Sequence, residues 1–217
     1  MANFDDQITD LVGGTIDSAA CNQWAADACR EIIHQLPATL QAKCSSQSVL
    51  NATNGTTLDL DGKGKIIHVT RKSASNGYYI PCRRIDAAYA DLANDSTDIV
   101  NYATVSDPVY YIASNSSDAG TLFVLPTPTD TLPSVAYHIT YPSVSVADVD
   151  TIANFPDEAE PLVVLYVASK MALQFSTTEA DNEDSELYAM YSDMYAKLKA
   201  EYMQGLQALK GGEVPRR

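Results

Sequence analysis

Apolar positions fall at helical steps near both ends of the chain, and short apolar runs alternate with turn signals between them. Residues 4–12 read as a short helix closed by Gly13-Gly14. Thr15 or Asp17 can cap a longer helix, because a short side-chain oxygen takes up orphan N–H groups at a helix start. In that helix Ala20, Trp24, Ala28, Ile32 and Gln35/Leu36 step by three and four, and Ala25, Cys29 and Ile33 widen the stripe. Small residues dominate it, which permits close helix approach and predicts a central place among the helices. Pro37 breaks or kinks it, and Ala38 to Lys43 continues for another turn or two.

From Leu58 the texture becomes strand-like. Ile66–Thr70, Tyr78–Ile80, Val109–Ile112, Leu122–Leu125 and Val135–Ile139 are short β-branched and aromatic runs. Asp61-Gly62, Asn76-Gly77, Asp118-Ala119-Gly120 and prolines 126, 128 and 133 separate them as turns. The spacing predicts a small antiparallel sheet or sandwich. Ile85–Ala93 departs from it, with Ile85, Ala88, Tyr89 and Leu92 at helical steps.

Helical pattern returns at Asp157. Pro161 must lie in the first turn, where a missing donor costs little, and Asp157, Glu158 and Glu160 sit by the positive end of the helix dipole. The run Leu162–Ala168 is apolar almost all round, so this helix is expected to be buried on more than one side. After the acidic link 179–186, Tyr188, Tyr191, Tyr195, Leu198, Tyr202, Gly205 and Leu209 form a heptad-like seam on a last helix. Gly211-Gly212 ends it. The expected fold class is α+β: an antiparallel helical bundle from both chain ends with an inserted small antiparallel β domain. Its boundaries are residues 1–50, 51–153 and 154–210, with 211–217 as a flexible tail.

The chain has 217 residues and a net charge of −14. That balance argues against sequence-independent nucleic-acid binding, which needs a basic face, and against docking on anionic lipid. Met1–Asp6 has neither a basic nor an apolar segment, so no signal peptide is expected. The longest apolar run is too short to span a bilayer. Cys21, Cys29, Cys44 and Cys82 lack C-x-x-C spacing and read as free buried thiols.

Candidate chemistry is sparse. Asp59–Gly64 opens like a calcium loop, but Lys63 and Thr70 stand where oxygen ligands are required, so a hairpin turn is the better reading. The acidic cluster 179–186 reads as a solvated helix link. His34, His68 and His138 belong to separate elements and show no zinc spacing. Cys82 with His68 or His138 would be a nucleophile–base pair without a local signature. Neither a catalytic residue nor a metal or cofactor is expected. Thirteen tyrosines against four phenylalanines are a skew that suits wet-edged interfaces.

The helix around Trp24–Leu36, and above all the segment Asn154 to Lys170, resemble the head-to-tail adaptor (connector) proteins of tailed bacteriophages. The likeness spans nearly the whole chain as a layout. It implies a structural virion protein at the head–tail junction, assembled in the host cytoplasm: a dodecameric homo-oligomeric ring beneath the portal protein. Such a ring would line the channel through which viral DNA passes without specific binding, and offer a platform to a downstream tail or neck protein. It also implies that the C-terminal segment enters a portal crevice, a role that here falls to Gly211, Gly212, Val214, Pro215, Arg216 and Arg217. Tyr188, Tyr195 and Tyr202 are the candidate subunit interface. A carbohydrate- or partner-binding virion module is the alternative, and a hydrolase using Cys82 or an acidic pair ranks below both.

Overall fold

The computed structural model describes residues 3–14, 18–114, 120–147, 151–182 and 184–211. The chain divides into two compact units, residues 1–44 with 141–217 and residues 45–140. Helices of both chain ends thus share one unit. The pattern along the sequence placed the insert at 51–153.

In the helical unit α1 spans Phe4–Val12. The Asn3 side chain caps it by accepting from Asp6 N at 2.8 Å, and Gly13 closes it at φ 76°, a conformation glycine adopts without steric cost. Its buried face is Phe4, Ile8 and Val12. Helix α2 spans Ser18–Gln35 and buries Cys21, Ala25, Ala28, Cys29, Ile32 and Ile33. This stripe is rotated from the expected one: Ala20 and Trp24 are only half-buried. The proposed caps Thr15 and Asp17 lie outside the described residues. After Pro37, α3 (Ala38–Gln41) and a 3-10 turn (Ala42–Cys44) supply the predicted extra turns.

Helix α5 spans Glu160–Asp181 and packs against α1, α2 and the final helix α6 (Ser185–Gly211). Its buried residues, among them Leu162, Val163, Val164, Val167, Ala168, Met171 and Ala172, go round the helix, as its apolar run predicts. Each large aliphatic side chain so buried contributes about 1.5–3 kcal/mol. The turn at Val146 ties the first two helices together: Asp5 N donates to Val146 O at 3.0 Å, and Val146 N donates to Asn22 Oδ1 at 2.8 Å.

The other unit holds two four-stranded sheets. One has the order β1 (Ser45–Leu50), β8 (Ser134–Thr140), β3 (Lys63–Lys72), β4 (Tyr79–Pro81). The second runs β2 (Thr57–Asp59), β7 (Thr121–Leu125), β6 (Val109–Ala113), β5 (Arg83–Arg84). The Ile85–Ala93 segment forms a 3-10 turn (Ala87–Tyr89) and a short helix α4 (Ala90–Asn94). Leu50, Val69 and Ala136 from the first sheet meet Tyr110, Leu122 and Val124 from the second in one core.

Three details differ from the sequence reading. Strand β1, Ser-Ser-Gln-Ser-Val-Leu, lacks the β-branched signature and is held by pairing with β8 along its length. Strands β2 and β3 do not form a hairpin; the turn at Asp61-Gly62 passes the chain from one sheet to the other, with Asp59 Oδ1 accepting from Asp61 N at 2.9 Å. The pairing is not wholly antiparallel, since β5 joins β6 in parallel. By contrast Asn76-Gly77 turns the β3–β4 hairpin as expected, with Gly77 at φ 73°.

Candidate interface on the helical hairpin

The α5–α6 hairpin opens with the segment Asn154 to Lys170 that carries the sequence resemblance. Asn154 adopts a left-handed φ of 57°, Phe155 is buried, and a 3-10 turn over Asp157–Ala159 leads into α5. Pro161 lies in the first turn, as its missing N–H demands. Glu160 Oε1 accepts from Ile152 N at 2.7 Å, and Glu158 pairs with Lys43 at 3.2 Å. At the other end the expected acidic link is largely helical, because Glu179 to Asp181 continue α5 and Ser185 and Glu186 open α6. Asp184 Oδ1 accepts from Glu186 N and Leu187 N at 3.2 and 3.1 Å and so starts α6.

The two helices run antiparallel. Phe175 meets Tyr191 with ring centroids 5.2 Å apart, Tyr166 meets Tyr202 edge-on at 5.4 Å, and Leu162 packs on Gly205. The tyrosine seam therefore divides its residues. Tyr202 is only 4% exposed, so its surface is spent within the chain's own hairpin. Tyr195 is half-buried, and Tyr188 is 45% exposed beside the exposed Leu187 and Met190. Met203 adds a further exposed apolar side chain on α6.

Beside the seam is a recess of about 170 Å³ lined by residues such as Glu31, Lys170, Tyr195, Lys199 and Tyr202. Lys199 Nζ donates to Tyr195 Oη at 2.8 Å, and Lys170 Nζ lies 5.3 Å from the Tyr166 ring centre. The Tyr202 hydroxyl is buried without a hydrogen-bond partner at ordinary distance among the described residues; burial first, then the Glu31 carboxylate, raise its pKa. The i, i+4 pairs Tyr166/Lys170 and Tyr195/Lys199 were visible in the sequence and passed over. Glu31 was not, since only folding brings it to the hairpin.

Of the tail residues, Gly211 ends α6, while Gly212, Val214, Pro215, Arg216 and Arg217 lie outside the described residues.

The histidines weighed for catalysis each have other partners. His34 Nε2 is 3.0 Å from Tyr141 Oη, His138 Nε2 is 3.0 Å from Ser48 Oγ, and His68 stacks on Tyr137. Burial pushes the Cys82 thiol up to about 12, so it is protonated and a poor nucleophile at neutral pH. Among the described residues no three His, Cys, Asp or Glu side chains converge as a metal site. Nor is any helix there long and apolar enough to cross a membrane.

No curated protein matches the chain. A family match is found over residues 3–215, and its description is SU10 adaptor protein. That span takes in both the helical unit and the β unit, so the chain belongs to the SU10 adaptor protein family and is a phage structural adaptor.

Proposed function

We propose that this adaptor forms a closed ring beneath the portal at the head–tail junction, lines the DNA channel and presents a platform to the next tail or neck component. The observation that carries the reading is the family match over nearly the whole chain. Residues 1–44 and 141–217 would form the helical bundle that contacts the portal, with the β unit reaching other neighbours. Twelve subunits is the number the resemblance to head-to-tail adaptors implies.

Within that reading the exposed apolar part of α6, Leu187, Tyr188 and Met190 with half-buried Tyr195, is the subunit interface on the helical side. Residues 211–217 dock in a portal crevice, where Arg216 and Arg217 pair with carboxylates. The net charge of −14 supports a lumen in which Asp and Glu outnumber Lys and Arg, so that passing phosphates are not held. An electron micrograph of portal mixed with this chain tests the proposal: an added ring of density on the portal is expected, and a bare portal would refute it.

A further inference from the structure

Between α4 and β6 the chain runs through Asp95-Ser96-Thr97-Asp98-Ile99-Val100-Asn101, and side-chain hydrogen bonds hold its shape. Asp95 Oδ1 accepts from Thr97 N at 2.9 Å and from Thr97 Oγ1 at 2.7 Å. Asp98 Oδ1 accepts from Val100 N and Asn101 N at 3.0 and 3.1 Å, and its Oδ2 from Asn101 Nδ2 at 2.9 Å. At the base Ala103 N donates to Ala93 O at 2.9 Å. These bonds fix a projection whose tip is apolar: Ile99 is 96% exposed and Val100 84%. None of the described residues of their own unit covers them, and an uncovered aliphatic pair on a fixed loop is an anchor in search of a pocket. The same hydrogen bonds draw the Asp95 and Asp98 carboxyls below their usual range, so the loop is anionic at neutral pH.

The same unit carries a surface of opposite shape and sign. Leu60, Ile66, Tyr110 and Ile112 line a recess of about 370 Å³ at the open margin of the inter-sheet core, with room for two aliphatic side chains. Lys63, Lys65 and Arg84 share its lining, and none of the three makes an ion pair among the described residues. In a strongly acidic chain, three unpaired cations round an apolar floor select an occupant that is apolar at its tip and anionic at its base.

We infer that the Ile99–Val100 tip of one copy inserts into the Leu60–Ile112 recess of the next, with Asp95 and Asp98 facing Lys63, Lys65 and Arg84. Tip and recess are different patches of one unit, so the contact is head-to-tail and generates a ring when the rotation closes. The inference rests on the ring reading above and locates one of its contacts in the β unit.

The test uses the full chain carrying Ile99→Cys with Lys65→Cys, oxidised in the presence of portal. All four native cysteines are buried, so the introduced thiols dominate the reaction. A covalent ladder of copies is expected from the double variant, and none from either single one. In parallel, Ile99→Lys should weaken assembly at least tenfold with an unchanged Tm, and Ile99→Glu should weaken it less. Rings that form without a ladder, and with Ile99→Lys assembling as the parent does, overturn this contact and leave the ring reading standing. Ile99→Lys rings that only fail to bind a tail component assign the tip to that partner and likewise overturn it. A parent chain that never oligomerises, with or without portal, overturns both.

Discussion

Gly205 and Leu162 meet where α6 crosses the start of α5: a β-carbon at Gly205 would overlap Leu162 Cδ2. Leu162 is buried, so it cannot simply swing aside. Glycine inside a helix gives up about 1 kcal/mol of helix propensity against alanine. Here that loss is offset by the close approach of the two helices.

Gly205→Ala is therefore expected to destabilise the protein, because overpacking of about 1–3 kcal/mol outweighs the propensity gain. Leu162→Ala alone should cost about 2–5 kcal/mol through its cavity. In the double variant the new methyl group occupies the vacated space, so the loss should be smaller than the sum by about 1 kcal/mol or more. Urea unfolding of the four proteins checks this, and simple additivity would show that the two residues do not share that space.

Alkaline pH should weaken the fold. Burial pushes Cys29 and Cys82 up to about 12 and Cys44 to about 11, against an ordinary value of 9.0. The folded state keeps the protons that the unfolded chain releases. Their contribution is thus complete below pH 9 and is lost as pH rises towards the folded-state values. The Tm should fall between pH 9 and 11, and Cys29→Ala with Cys82→Ala should flatten that fall. A double variant with the parent's full slope would place the effect elsewhere.

Where local chemistry decides structure, the sequence announced it. Gly13 after Val12, Pro161 behind three carboxylates and Gly77 after Asn76 each mark a boundary that the fold keeps. Strand β1 was illegible because its polar residues are strand only through β8, a partner some 90 positions away. The β2–β3 turn was misread as a hairpin because turn chemistry reports a reversal of direction, and not which sheet receives the chain. On α6 the tyrosine spacing was visible. That Tyr202 is consumed inside the hairpin while Tyr188 is exposed depends on where α5 lies, which no spacing within α6 encodes.

That division makes the tyrosines separable. Tyr202→Ala should lower stability by about 3 kcal/mol or more, as loss of a buried aromatic does. Tyr188→Ala with Tyr195→Ala should leave the Tm within a few degrees and weaken oligomerisation at least tenfold. Calorimetry and sedimentation of the same samples separate the two effects. A large Tm loss from the Tyr188/Tyr195 pair would make them core residues of the subunit.

Deleting residues 211–217 should leave the fold and Tm unchanged and abolish, or strongly weaken, attachment to the portal. Arg216 and Arg217 give this end two guanidinium groups that can pair with carboxylates of a partner. Pull-down of truncated chain on immobilised portal is the check. Full occupancy by the truncated chain would reduce this segment to an ordinary frayed terminus.

A closed ring on the portal fixes the mass of the complex. Size-exclusion chromatography with light scattering on portal mixed with excess chain should give one species whose added mass is a fixed whole number of 23.4 kDa subunits, twelve on the present reading. Portal that elutes with its own mass while the chain remains a separate monomer would show that no such ring forms.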